Sequence, residues 1–170
     1  ASGDRCGRRY LRVLERQLTS KNLYYEFGRV DQYWHWLIFQ AEQGRVKLPL
    51  EIYEEITIGN DELSEWAKYN KQALVLHEEI DIDILQIVIT EGYAPDLTDI
   101  ELEAIGRDPF LIAYALKDAH NRIVVTGEVR SKKQRQNRPI PSVCDTFGVK
   151  TCDQWRFGRD LDFRTDWSIS

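Results

Sequence analysis

Asp108 stands directly before Pro109 at the head of an apolar run, Phe110-Leu111-Ile112-Ala113-Tyr114-Ala115-Leu116. After a short polar stretch, Ile123-Val124-Val125 leads into Thr126-Gly127-Glu128. This spacing puts one carboxylate at the start of a buried helix and another just past the end of a buried strand, a layout that can hold a divalent metal against phosphate. Clustered carboxylates repel one another unless a cation sits among them, so a shared location would mark a metal site. A plainer reading stands beside it. Asp108 would only cap the helix, its carboxylate accepting from the open N–H groups of the first turn, and Glu128 would be only a loop acid.

A second concentration of charge follows at once, in Arg130-Ser131-Lys132-Lys133-Gln134-Arg135-Gln136-Asn137-Arg138. Its five cations, Arg130, Lys132, Lys133, Arg135 and Arg138, lie in a chain of net charge −5, so nucleic-acid binding would be local to them. The loop could grip phosphates and align an RNA strand, with a strongly salt-dependent affinity. As a bare charge run it also reads as a solvated loop, or as the surface that meets an acidic partner. His35, His77 and His120 show no ligand spacing, and no Gly-rich phosphate loop or dinucleotide fingerprint is present. Trp34 and Trp66 fall on apolar stripes and belong to the core, whereas Trp155 and Trp167 are less constrained.

The elements that must position these groups alternate between helix and strand. Tyr33, Trp34, Leu37, Ile38 and Ala41 recur at helical spacing, and Gly44 supplies a stop. Leu48-Pro49-Leu50 leads into a short helix through Tyr53 and Ile56, and another begins near Asn60-Asp61 with Leu63, Trp66 and Ala67 inward. Ala73 to Leu76 reads as a strand, Asp81 to Tyr93 and Asp99 to Ile105 as helices. Ile140 to Phe147 is helical, Val149 to Cys152 a last strand, and Gln154 to Leu161 a terminal helix. Strands separated by helices imply an α/β fold with a mostly parallel sheet between helical layers.

Composition sets the limits. The 170 residues fit one domain with a proper core, and a 42% hydrophobic, 30% charged chain is an ordinary globular one. No apolar run approaches the roughly 20 residues needed to cross a bilayer, and Ala1 to Arg9 lacks the apolar core of a signal peptide. A cytoplasmic protein without a membrane segment is expected. Cys6, Cys144 and Cys152 lack metal-type pairing and read as free thiols.

From about Tyr33 to Phe163 the chain resembles a bacterial branch of the PIN-like domains. The resemblance rests on a Trp-rich first helix, "YEEI…DELSEWAK", "DPFLIAYAL", "VVT-x-E", the basic "SKKQRQNR" loop and "IPSVCDTFGVK", in that order. It implies a single three-layer α/β/α domain over residues 1–170, with 1–22 atypical, and metal-dependent cleavage of RNA. It further implies Mg²⁺ or Mn²⁺ as cofactor and, as in many such proteins, a toxin held silent by an antitoxin partner; a homodimer is a further association open to it. The acids carried over are Glu55, in Tyr53-Glu54-Glu55-Ile56, Asp108 at the head of the central helix, and Glu128 after the strand, with Thr126 in support.

The family's opening strand, of the form "YLLDANVFI", is matched poorly. Here Tyr10 to Leu18 puts Val13 where its Asp would stand, and Arg12, Glu15 and Arg16 suit a helix better than a buried strand. The first strand is therefore expected to be degraded or absent. Three readings stand: an inactive member, a scrambled N-terminal coding region, or Glu15 substituting from a shifted position. The alternative function is a catalytically inactive PIN-like module that binds RNA or a protein partner.

Overall fold

The computed structural model describes residues 9–12 and 31–168. Four parallel strands form one sheet in the order β2-β1-β3-β4: β1 (Arg9–Arg12), β2 (Val46–Lys47), β3 (Arg122–Val125) and β4 (Lys150–Cys152). Tyr10 lies level with Val46 on one side and with Ile123 on the other, and β3 pairs onward with β4 from Ile123 opposite Lys150. The expected α/β architecture is thus present.

The opening strand expected to be degraded or absent is instead an inner strand of this sheet. Arg in a strand is only a weak local penalty, and a four-residue segment paired on both sides satisfies its backbone through two ladders at once. Tyr10, only 3% exposed, anchors it in the core. Val13 and Glu15, which bear on the missing Asp, lie outside the described residues, as does Cys6.

Helix α1 (Asp31–Glu42) lies in the connection from β1 to β2. It is followed by α2 (Leu50–Thr57), α3 (Glu62–Tyr69) and the single turn α4 (Lys71–Leu74). The strand expected over Ala73 to Leu76 is therefore half helical. What remains of it is one parallel bridge, Leu48 opposite Val75, closed by N–H donation from Leu48 to Leu74 O at 2.7 Å and from Leu76 to Leu48 O at 2.8 Å. Helix α5 (Ile82–Ile87) runs on into a π turn (Val88–Tyr93), and α6 (Asp99–Ile105) leads to α7 (Asp108–Lys117) and β3. Helix α8 (Ile140–Phe147) precedes β4, and α9 (Gln154–Asp160) follows it.

Chain order and strand order fix the layers. The path from β1 to β2 moves one way across the sheet, whereas the paths to β3 and then β4 move the other way. Right-handed crossovers in opposite directions place α1 on one face and α7 and α8 on the other. Phe157 of α9 meets both Tyr10 of β1, at 5.1 Å between ring centres, and Trp36 of α1, at 5.4 Å, so α9 packs beside α1. Trp34 and Trp66, assigned to the core, meet edge to face at 5.0 Å. Every residue of β3 is buried, as its β-branched run requires of an inner parallel strand covered on both sides. The chain reverses its direction of winding between β1 and β3, the place where open α/β sheets gather ligands.

Candidate metal and phosphate site

Thr126 and Glu128 leave the carboxyl end of β3 beside that switch point. Thr126 is buried and its backbone N–H donates to Cys152 O at 3.0 Å, which extends the β3–β4 edge by one residue. Its Oγ1 accepts from the Glu128 N–H at 3.1 Å, a tight turn at the strand's end. Expected as an orienter of water or ligand, Thr126 thus shapes the backbone that carries the acid. Glu128 Oε2 accepts from the Ile140 N–H at 2.6 Å, at the open N-terminus of α8. That bond fixes the carboxylate.

Asp108 is the first residue of α7, with Pro109 next to it. It does not serve as the helix cap expected from its place before proline. Arg107 occupies that position and makes no side-chain capping bond. The Asp108 carboxylate sits in the first turn, where the helix dipole favours a negative charge.

Asp108 and Glu128 open onto one cleft of about 390 Å³, which Tyr93, Ser131, Lys133, Gln136, Asn137 and Arg138 also line. Burial pushes the Tyr93 phenol above its usual range, and the Asp108 and Glu128 carboxylates push the same way, with Arg138 opposing. Both acids therefore act on one point in space. Tyr93 ends the π turn, a rare geometry found often at functional sites. Gly92 makes the turn's close approach to α8 feasible: a Cβ there would lie 2.7 Å from Val143 Cγ1 and 2.9 Å from Phe147 Cε2. Arg138 fastens the same point by donating to the Gly92 carbonyl and, at 2.9 Å, to Ser142 O.

Glu55 stands apart from this pair. It lies on α2 against the residues just before α7, its Oε1 3.4 Å from where a Gly106 Cβ would project, and it does not line the cleft. Burial raises its carboxyl above the usual range, against the lowering effect of the neighbouring Arg107. Its neighbour Glu54 instead pairs with Arg107 at 2.5 Å, which ties α2 to the head of α7. Among the described residues no group of three or more Asp, Glu, His or Cys side chains is placed to hold a metal ion. Two carboxylates plus waters are nevertheless an ordinary donor set for Mg²⁺.

The model of a domain of unknown function, DUF4411, matches residues 16–165. The chain belongs to that family. No curated protein and no solved structure matches it.

In this DUF4411 domain the basic loop divides into two kinds of cation. Arg130 forks onto Asp145, with Nε to Oδ2 at 2.6 Å and Nη2 to Oδ1 at 2.9 Å. Arg135 reaches Glu101 through Nε at 2.8 Å and Asp96 through Nη1 at 2.7 Å. The Arg135 backbone is left-handed at φ 57°, a conformation rare for a residue with a side chain and held here by that clamp. Arg138 is spent on α8 and the π turn. Within this loop Lys132 and Lys133 alone are exposed without an ion pair to any described residue. Of the five cations expected on RNA, three bind the protein.

Other sequence expectations are located as follows. His35, His77 and His120 are exposed, and neither Cys144 nor Cys152 is in a disulfide. Burial pushes the Cys144 thiol up to about 12, with help from Asp145 and Glu128, so it is no nucleophile at neutral pH. No helix among the described residues is long and apolar enough to cross a membrane. Tyr93 was the site residue that sequence reasoning missed. Its signal was slight, a Gly-Tyr pair closing an Ile- and Val-rich helix.

Proposed function

We propose that this DUF4411 domain is a metal-dependent ribonuclease of the PIN type. The observation that carries the reading is the meeting of Asp108 and Glu128, twenty residues apart in the chain, in one cleft at the winding switch of a parallel sheet. Asp108 and Glu128 would hold Mg²⁺ or Mn²⁺, with Glu55 on α2 reaching it only through water. Such an ion, when bound, supplies charge neutralisation at a phosphate and a lowered pKa for a coordinated water. The chain does the rest by position. The Ile140 N–H holds one oxygen of Glu128, a residue that lines the cleft, as outer hydrogen bonds orient metal ligands generally. Lys133 stands on the rim as a phosphate contact, and Lys132 beside it extends the cationic edge.

The proposed setting is the cytoplasm, as the toxin of a pair silenced by an antitoxin protein, with a homodimer as a further state. Cleavage of a structured RNA in Mg²⁺ or Mn²⁺ tests it. Asp108→Asn should lower the rate by roughly 100-fold or more, since it removes one of very few ligands. Cleavage that persists unchanged in that variant rejects the site. The second reading, an inactive module that binds RNA or a protein partner, draws on the lack of a three-ligand group among the described residues. Salt-sensitive RNA binding with no cleavage in either ion would favour it.

A further inference from the structure

The cleft contains a donor that lacks an acceptor among the described residues. Tyr93 is only 8% exposed, yet its hydroxyl makes no hydrogen bond with any described residue and Tyr93 lines the cleft. The ring is packed away while the O–H is left to the solvent of the cleft, where an oxygen of a bound molecule can accept from it. The fold holds the ring there by three devices: the π turn, the glycine that admits it, and Arg138 on the Gly92 carbonyl. A phenol ordinarily titrates near 10, so at neutral pH it is protonated and can donate. In the free protein that donor meets water, and a ligand oxygen that displaces the water would take its place.

The surroundings narrow the choice of oxygen. Asp108 and Glu128 on the same cleft repel a free anion next to them, so an anionic oxygen at that end is best held with a cation between. Lys133 on the rim favours such an anion. We infer that Tyr93 is a substrate-binding residue that donates its O–H to a non-bridging oxygen of a phosphate held against the cation at Asp108 and Glu128. The inference rests on the nuclease reading for the nature of that ligand.

The probe is uridine 5′-monophosphate in Mn²⁺, which carries the phosphate without a diester to cleave. Calorimetry on the wild type and on Tyr93→Phe should show the nucleotide bound about 5- to 20-fold more weakly by the variant, the loss of one hydrogen bond to a charged group. Mn²⁺ affinity should hold, and the melting temperature should stay level or rise, because the lost hydroxyl bonds no described residue. Equal nucleotide affinity in the two proteins, or no nucleotide binding by the wild type, overturns the inference. If Asp108→Asn abolishes cleavage while Tyr93→Phe binds the nucleotide normally, the nuclease reading stands and the tyrosine role falls. If the wild type cleaves no RNA in either ion while Tyr93→Phe loses the nucleotide, the phosphate contact stands and the nuclease reading falls.

Discussion

Gly92→Ala tests how tightly the π turn is fitted to α8. The added methyl would meet Val143 Cγ1 at 2.7 Å and Phe147 Cε2 at 2.9 Å, both inside normal contact. Phe147 is half-buried and can swing away, but Val143 is fully buried and β-branched, with one favoured rotamer on a helix. Overpacking of this kind costs about 1–3 kcal/mol, and replacing a helical glycine returns about 0.5–1 kcal/mol. The net expectation is a loss of about 0.5–2 kcal/mol, or a melting temperature lower by roughly 2–6 °C in a domain of this size. Urea denaturation measures it as a shifted midpoint with unchanged slope. Val143→Ala in the same protein makes room for the methyl, so the double variant should be more stable than additivity predicts by at least ~0.5 kcal/mol. A Gly92→Ala protein as stable as wild type, with additive behaviour in the cycle, would show that the close approach does not hold Tyr93 in place.

Two further outcomes follow from charges the fold has committed. Arg122 is buried against Glu78 and donates to Tyr114 O at 2.7 Å, while Glu78 Oε2 is buried without a hydrogen-bond partner. Arg122→Met should therefore cost about 2–4 kcal/mol, below the full range for a buried pair because Glu78 keeps some exposure, and adding Glu78→Met should recover part of it in chemical denaturation. Recovery of nothing would mean that the pair's charges are not what the single variant loses. The Arg135 clamp holds Glu101 down to about 2 from an ordinary 4.5. A depressed carboxylate contributes stability above its unfolded pKa and loses it as the pH falls through the folded one. The clamp should thus weaken between about 4.5 and 2. Amide exchange over residues 131–138 should accelerate across that window, and Arg135→Gln should show fast exchange at every pH. An exchange rate independent of pH in the wild type, after correction for intrinsic chemistry, would refute the clamp.

What the sequence disclosed depended on whether a local pattern outweighed its surroundings. The apolar helix after Asp108 and the run Ile123 to Val125 are written in composition, because a segment buried on nearly all sides has little room for polar residues. β1 was hidden because its stability comes from two neighbours distant in the chain rather than from its own residues. β2 is two residues long, too short to show a period, and Ala73 to Leu76 looked like a strand when only Val75 forms a bridge. In the site, the pairing of Asp108 with Glu128 was anticipated. The role of the basic loop was not, because a charge run does not name its partners: Asp96, Glu101 and Asp145 lie outside the loop and claim two of its arginines. Tyr93 escaped notice because its meaning depends on a missing bond, which no spacing records.

The sheet's order has a consequence for how the chain is made. Its earliest described strand ends up inside, flanked by β2, already made when it pairs, and by β3, which emerges only after α7 has been synthesised. Until Val125 has left the ribosome, β1 and β2 can join only as a narrow ribbon with one long flank bare, a template for pairing with other chains. Substitutions that weaken β3 should therefore show first as lower yield and more aggregate during synthesis, ahead of any change in the finished molecule.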